Sequence, residues 1–198
     1  MYLFSKRIFD ICSSLLALVL FSPLIIIISL WIALDSPGGI FYRQIRVGKN
    51  QKEFGVFKFR SMRPNSDQAG QITIGNDSRV TRVGRFIRRF KIDEVPQLIN
   101  ILKGDMSVVG PRPEVPKYVQ LYSQEQLKVL TVLPGLTDYA SIEYLDEQKI
   151  LGAAADPDKA YIEEVMPAKL KLNLNYIADR GFWLDIKLIF KTIGRIVR

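Results

Sequence analysis

Residues 11–34 read ICSSLLALVLFSPLIIIISLWIAL, about 24 residues without a charge. At ~1.5 Å per helical residue, such a run can cross a ~30 Å hydrocarbon core. Length alone permits an ordinary spanning helix. Two features favour a helix that enters and leaves by the same face. Pro23, preceded by Ser22, falls mid-run, where proline removes a helical hydrogen bond and clashes with the carbonyl four residues back. Basic residues also flank both ends, with Lys6 and Arg7 before the run and Arg43, Arg46, Lys49 and Lys52 after it. The positive-inside tendency holds both flanks in the cytoplasm. A re-entrant helix–break–helix over residues 1–35, broken at Ser22-Pro23 into arms of roughly eleven residues (~16 Å), satisfies both observations. Ser22 is placed to partner a backbone group that the break frees. A cleaved signal peptide would share the basic start, but the run is long for one and no convincing small-x-small site follows.

Ser36-Pro37-Gly38-Gly39 is a turn cluster, so residues 36–198 form the second unit. Ile40-Phe41-Tyr42 and Phe54-Gly55-Val56-Phe57-Lys58-Phe59, separated by Val47-Gly48-Lys49-Asn50, predict a β-hairpin, with Lys58 and Arg60 on one face of its second strand. Residues 64–78 are polar and Gly-rich and predict a loop beside the site. Arg82, Arg85, Arg88 and Arg89 follow at helical spacing, a solvated basic face if taken alone. Asp93-Glu94-Val95-Pro96 predicts the start of a helix running to Leu102 and stopped by Lys103-Gly104. Helix capping by itself accounts for such an acid pair. Two prolines restrict the backbone around Arg112 in Pro111-Arg112-Pro113, which suits either a stiff connector or an Arg presented to a phosphate. Leu133-Pro134-Gly135-Leu136-Thr137 reads as a turn, and Asp156 to Ala178 as helical apart from Pro167. In the last segment Lys187, Lys191, Arg195 and Arg198 oppose an aromatic and aliphatic stripe, the pattern of an interfacial helix and equally of a core helix. The fold class is therefore α+β and mostly helical, with a small hairpin packed on helices and amphipathic helices at the membrane interface.

Composition narrows the chemistry. The net charge of +8 is concentrated between Arg43 and Lys91, a field that draws nucleic acid, anionic lipid or phosphorylated small molecules alike. The chain has no His, which excludes Ser-His-Asp and Cys-His triads and leaves acid–base work to carboxylates, Lys or Tyr. The single cysteine, Cys12, cannot form an intramolecular disulfide. There is no Walker A loop and no GxGxxG fingerprint.

The stretch DSRVTRVGRFIRR (77–89), continuing through DEVPQLIN (93–100) and KGDMSVVGPRPE (103–114), closely resembles the monotopic phosphoglycosyl transferases, a family of bacterial sugar transferases. Lys58-Phe59-Arg60-Ser61-Met62 and Ser22-Pro23 fall where that family has matching motifs. The resemblance covers essentially the whole chain. It implies transfer of a sugar 1-phosphate from a UDP-sugar to undecaprenyl phosphate with release of UMP and a requirement for Mg²⁺. It further implies Asp93 as the nucleophile that becomes phosphoglycosylated, Glu94 as its partner through the metal, and Ser22-Pro23 as the break of a re-entrant helix. The implied location is the bacterial inner (cytoplasmic) membrane, monotopic, with residues 36–198 as the catalytic domain on the cytoplasmic face. Membrane lipid is then a partner, nucleic acid is not, and a homo-oligomer is left open.

The residue chemistry agrees. A carboxylate attacking a diphosphate needs its own charge and the phosphates' charge offset by cations. Lys58, Arg60, Arg88 and Arg112 are the candidates, and a helix start beneath Asp93 would add backbone N–H groups. The chain departs from the family in one motif: many members continue Pro-Gly-(Ile/Leu)-Thr with Gly and reach an Arg where Asp138 and Leu145 stand here. It also looks like the minimal catalytic form, without the long N-terminal transmembrane extension of larger relatives. The rival from another class is a non-catalytic basic membrane anchor or nucleic-acid-binding protein using Arg79 to Lys91, which offers no reason for an acid pair beside its basic patch.

Overall fold

A computed structural model describes residues 2–64, 66, 77–143 and 147–196. Leu145 and most of the 64–78 stretch therefore lie outside the described residues. The chain is mostly helical. Helix α1 (Tyr2–Leu20) and helix α2 (Ser22–Asp35) meet at Phe21 with a bend of 61°. Neither is by itself long and apolar enough to cross a membrane. The break lies one residue before the expected Ser-Pro pair. Pro23 has no N–H for the carbonyl of Val19, and the Ser22 hydroxyl takes that carbonyl instead at 2.7 Å. The freed acceptor is thus satisfied from within the kink, as a polar group in an apolar setting requires.

The arms are longer than eleven residues because α1 continues below the apolar run. Its charged residues contact the rest of the chain. Arg7 donates to the Ile101 and Leu102 carbonyls at 2.6 and 2.9 Å, Asp10 accepts from the Val108 N–H at 3.0 Å, and Lys6 pairs with Asp185 at 2.6 Å. Above them the surface is apolar: Leu15, Leu16, Val19, Leu20, Ile26, Ile27, Leu30, Trp31 and Leu34 are all exposed. Exposed apolar residues in such number mark an interaction surface.

Strands β1 (Phe41–Val47) and β2 (Glu53–Phe59) form the expected antiparallel hairpin, with Phe41 opposite Phe59. Further along the chain come α3 (Arg82–Arg89), a 3₁₀ turn at Ile92–Glu94 and α4 (Gln97–Lys103). Thr81 caps α3 by accepting from the Gly84 N–H at 2.9 Å. Helix α4 ends at Gly104, whose φ of 89° only glycine adopts cheaply. A second sheet follows, with β3 (Ser107–Val109) parallel to β4 (Gly135–Thr137), so residues 135–137 form a strand and not only a turn. Between them lie α5 (Pro116–Val119) and a 3₁₀ segment at Gln126–Thr131. The remainder is helical: α6 (Tyr139–Glu143), α7 (Glu147–Ala153), α8 (Pro157–Ala160), a π-helical segment at Tyr161–Val165, α9 (Met166–Asp179) and α10 (Phe182–Ile196).

Two clusters hold the hairpin in place. Ile28 and Ile32 of α2 pack with Phe59, Val83 and Ile87, which ties the apolar arm to β2 and α3. Leu98, Ile101 and Met106 pack with Ala17, Leu18 and Phe54, tying α4 to α1 and β2. Each fully buried side chain of this size contributes about 1.5–3 kcal/mol. Helix α10 presents both of its expected faces: Leu188 is in the core, whereas Trp183 and Phe190 are largely exposed.

Candidate active site

The acid pair sits at the junction of these clusters. Lys91 adopts a left-handed φ of 57°, which ends the run from α3 and turns the chain into the Ile92–Glu94 3₁₀ turn. The expected helix start at Asp93 is thus replaced by a separate turn, with α4 proper beginning at Gln97. The N–H groups of Glu94 and Val95 already donate to Lys91 and Ile92 carbonyls at 3.1 Å, so they are not an open anion nest. Backbone geometry sets the acids in place; charged side chains must supply the electrostatics.

Asn100 fixes β2 against this turn. Fully buried, it accepts from the Phe57 N–H at 2.9 Å and donates to the Gly55 carbonyl at 2.8 Å, gripping the strand on both sides of Val56. Lys58, one residue beyond this grip, reaches Glu94 at 3.4 Å. From the other side Arg112 forks onto Glu94, its Nη1 lying 3.3 Å from Oε2 while its Nη2 contacts Oε1. The Pro111-Arg112-Pro113 loop is itself held. Arg46 donates to the Pro113 carbonyl and to Glu114 Oε1, each at 3.0 Å, and Tyr161 donates to Glu114 Oε2. Composition pointed to Arg46 only as part of a basic run, because a strand residue's reach to a loop 67 positions away leaves no local pattern.

The two acids are both about nine-tenths buried, yet they are held differently. Burial alone would raise Glu94, but the charges of Arg112 and Lys58 outweigh it and hold its carboxyl well below the usual carboxylate range. Asp93 has no hydrogen bond or ion pair among the described residues. Burial, and then the neighbouring Glu94 charge, push its carboxyl up, with Lys58, Lys91 and Arg88 opposing from a distance. Glu94 pulls the Arg112 guanidinium up against its own burial, and burial pushes the Lys58 ammonium down. One acid is therefore a clamped counter-ion and its neighbour an uncommitted anion. Divergent environments for adjacent titratable groups are what divided acid roles require.

Of the expected cation set, the structure brings Lys58 and Arg112 into contact with the pair and Arg88 within its field. It does not bring Arg60. The strand ends at Phe59, so alternation no longer governs the next residue. The Arg60 guanidinium is buried beneath the end of α2, donating to the Ser36 carbonyl at 2.7 Å, to Ile32 at 3.4 Å and to Pro37. It satisfies the orphan carbonyls of a helix C-terminus. Arg60, read from the sequence as a phosphate-binding candidate, thus has its guanidinium engaged by these carbonyls.

Among the described residues, no three His, Cys, Asp or Glu side chains are grouped to cage an ion. Asp93 and Glu94 are two hard oxygen donors side by side, which fits Mg²⁺, an ion typically held by one or two carboxylates together with substrate phosphates.

The family model for bacterial sugar transferases matches residues 1–198, the entire chain. The chain belongs to the bacterial sugar transferase family. Several curated relatives of this sugar transferase are similar over nearly all of its length. It is 41% identical over 99% of its residues to the UDP-N-acetylgalactosamine-undecaprenyl-phosphate N-acetylgalactosaminephosphotransferase of Aeromonas hydrophila. It is 39% identical over 95% to the UDP-glucose:undecaprenyl-phosphate glucose-1-phosphate transferase of Escherichia coli K12. It spans only 44% and 39% of those two proteins. With the exopolysaccharide production protein PSS of Rhizobium leguminosarum it shares 38% identity over 95% of the chain and 92% of that protein.

Proposed function

We propose that the protein is a phosphoglycosyl transferase that moves a sugar 1-phosphate from a UDP-sugar to undecaprenyl phosphate, releasing UMP, as the first membrane-committed step of glycan assembly. The single observation that carries the mechanism is the asymmetry of the acid pair: Glu94 is locked between Arg112 and Lys58, and the Asp93 side chain beside it is buried with no bond among the described residues. A desolvated carboxylate with no hydrogen bond is the more nucleophilic of the two.

In this reading a carboxylate oxygen of Asp93 attacks the sugar-bearing phosphorus. The new O–P bond forms as the bond to the bridging oxygen breaks, and UMP departs with that oxygen. A phosphate oxygen of undecaprenyl phosphate then attacks the same phosphorus, displacing the Asp93 carboxylate and forming the lipid diphosphosugar. Arg112, Arg88 and Lys58 offset the charge that gathers on the phosphoryl oxygens, while Glu94 keeps Arg112 and Lys58 oriented between turnovers. Mg²⁺, when bound by Asp93 and Glu94 with the donor's phosphates, supplies further charge neutralisation and alignment.

The bent apolar pair, with basic residues at both flanks, supports a re-entrant segment over residues 1–35. On this reading the catalytic domain, residues 36–198, lies on the cytoplasmic face of the bacterial inner membrane, with the exposed Trp183 and Phe190 of α10 at the interface. The lipid phosphate then meets Asp93 at the membrane surface.

Incubating the purified protein with labelled UDP-sugars and Mg²⁺, before acceptor is added, should trap a sugar phosphate on Asp93, visible by intact mass. Asp93→Asn should show no adduct and lose turnover. Turnover with no adduct in the wild-type protein would favour a direct transfer with Asp93 as base. Near-normal turnover by Asp93→Asn would sink both routes.

A further inference from the structure

Packing divides the arginines of α3 between two uses. Val83, Gly84 and Ile87 face inward: Val83 and Ile87 pack with Ile28 and Ile32 of α2, and a Cβ on Gly84 would fall 1.9 Å from the Ser61 carbonyl oxygen. Asp35, the last residue of α2, accepts from the Val83 N–H at 3.3 Å. Helix α3 is therefore fixed beside the end of α2. Arg88 is half-buried and belongs to the site described above, whereas Arg82, Arg85 and Arg89, at i, i+3 and i+7, are exposed along the outer face. None of these three forms an ion pair among the described residues.

Beside them runs a row of aromatic rings. The Phe86 centroid lies 5.0 Å from that of Phe90 and 5.4 Å from that of Trp31 on α2. Trp31 is 44% exposed and each Phe 42%. Ile27 and Leu34, four residues before Trp31 and three after, share its face of α2 and are 60% and 86% exposed. At the other end of the row the Arg89 guanidinium lies 5.6 Å from the centre of the Phe90 ring. The surface thus passes from aliphatic side chains through Trp31 and two Phe rings to guanidiniums. A bilayer passes in the same order from hydrocarbon through its interface to anionic headgroups.

We propose that the outer face of α3 is a binding site for anionic phospholipid, in which Arg82, Arg85 and Arg89 take the headgroup phosphates and Trp31, Phe86 and Phe90 sit among the first acyl carbons. The proposal rests on the re-entrant reading of residues 1–35. Guanidinium groups suit the role, since each can hold a phosphate with two N–H groups and still stack on an aromatic ring. A nucleic acid would need free ring faces for its bases, but the Phe86 ring is packed between Trp31 and Phe90 and adjoins the apolar face of α2. The acceptor's own phosphate must instead reach Asp93, towards which α3 contributes Arg88. Because α3 leads through Lys91 into the acid-bearing turn, lipid on its outer face sets the height of Asp93 at the bilayer.

Trp31 itself reports on the site, since Trp183→Phe leaves it the only tryptophan. The full chain with that change is placed in phosphatidylcholine nanodiscs. About a fifth of the lipid is brominated high on its acyl chains, as either phosphatidylglycerol or phosphatidylcholine, and quenching of Trp31 is measured. The Stern–Volmer constant should be about threefold larger for the phosphatidylglycerol in about 0.1 M salt, and the two should converge in about 1 M. Changing Arg82, Arg85 and Arg89 together to Gln should abolish the preference, whereas the same change at Lys49, Lys52 and Lys128, three exposed lysines elsewhere, should leave it. Should the triple arginine variant unfold, Arg85→Gln with Arg89→Gln carries the same comparison. Equal quenching by the two lipids at low salt, a preference that survives the arginine changes, or one lost equally with the lysines would overturn the proposal. So would its loss on adding single-stranded RNA or about one per cent of undecaprenyl phosphate, which would give the face another occupant. No quenching by either lipid would defeat the re-entrant reading itself, so the two failures are distinguishable.

Discussion

Neutralising the two adjacent acids should move stability in opposite directions. Glu94→Gln removes the charge that Lys58 and Arg112 share, leaving two cations facing each other across a half-buried site. Breaking a fully buried pair costs about 3–5 kcal/mol. The Lys58 and Arg112 side chains keep 19% and 32% of their surface, so the loss is discounted to about 2 kcal/mol. For a chain of this size that lowers the thermal midpoint by about 4–8 °C. Asp93→Asn instead removes a desolvated charge that has no partner among the described residues, and a gain of about 1 kcal/mol raises the midpoint by about 2–4 °C. The pH courses also differ. The Glu94 carboxyl is depressed in the folded state, so its contribution is present above the ordinary value of 4.5 and is lost as pH falls. The Asp93 carboxyl is raised, so its penalty grows as pH climbs past the ordinary 3.8, and the advantage of Asp93→Asn should vanish below it. Differential scanning fluorimetry of the two variants and the wild type in nanodiscs, from about pH 2.5 to 8, reads both trends. A midpoint for Asp93→Asn that falls as far as that of Glu94→Gln would refute the asymmetry on which the mechanism stands.

Three further outcomes follow from the same geometry. Because the nucleophile must be ionised and its carboxyl is raised, kcat should fall on the acid side at a higher pH than an ordinary carboxylate gives, a shift measurable in the pH–rate profile. Asn100→Ala empties a fully buried site and strands the Phe57 N–H and Gly55 carbonyl, so it should cost about 3 kcal/mol and lower kcat by loosening Lys58; denaturant midpoints beside kinetics test both effects. In a Cys12→Ser background, cysteines at Leu3 and Lys52 should react with a membrane-impermeant maleimide from the same side, and labelling from opposite sides would restore a spanning helix.

The apolar run and its proline made the bent pair legible, because period and proline chemistry are local properties of the chain. The structure added why the kink is tolerated, the Ser22 hydroxyl standing in for the missing N–H at the Val19 carbonyl. The hairpin and the stop at Gly104 were equally local, set by alternation and by a left-handed position. The parallel pairing of Ser107–Val109 with Gly135–Thr137 was not legible, since two three-residue strands carry too few side chains to show a period. Lys58 and Arg60 mark the limit of pattern reading: two residues apart in sequence, one faces Glu94 and the other ends beneath α2.

By itself, then, the sequence determined the class of chemistry. It excluded histidine mechanisms, set an acid pair among cations, and joined both to an apolar segment in an order shared with the bacterial sugar transferases. Only the tertiary structure decided which acid is held and which is free. Ionisation depends on burial and on charges delivered from distant segments, Lys58 from β2 and Arg112 from beyond β3, and no local pattern encodes where those charges meet.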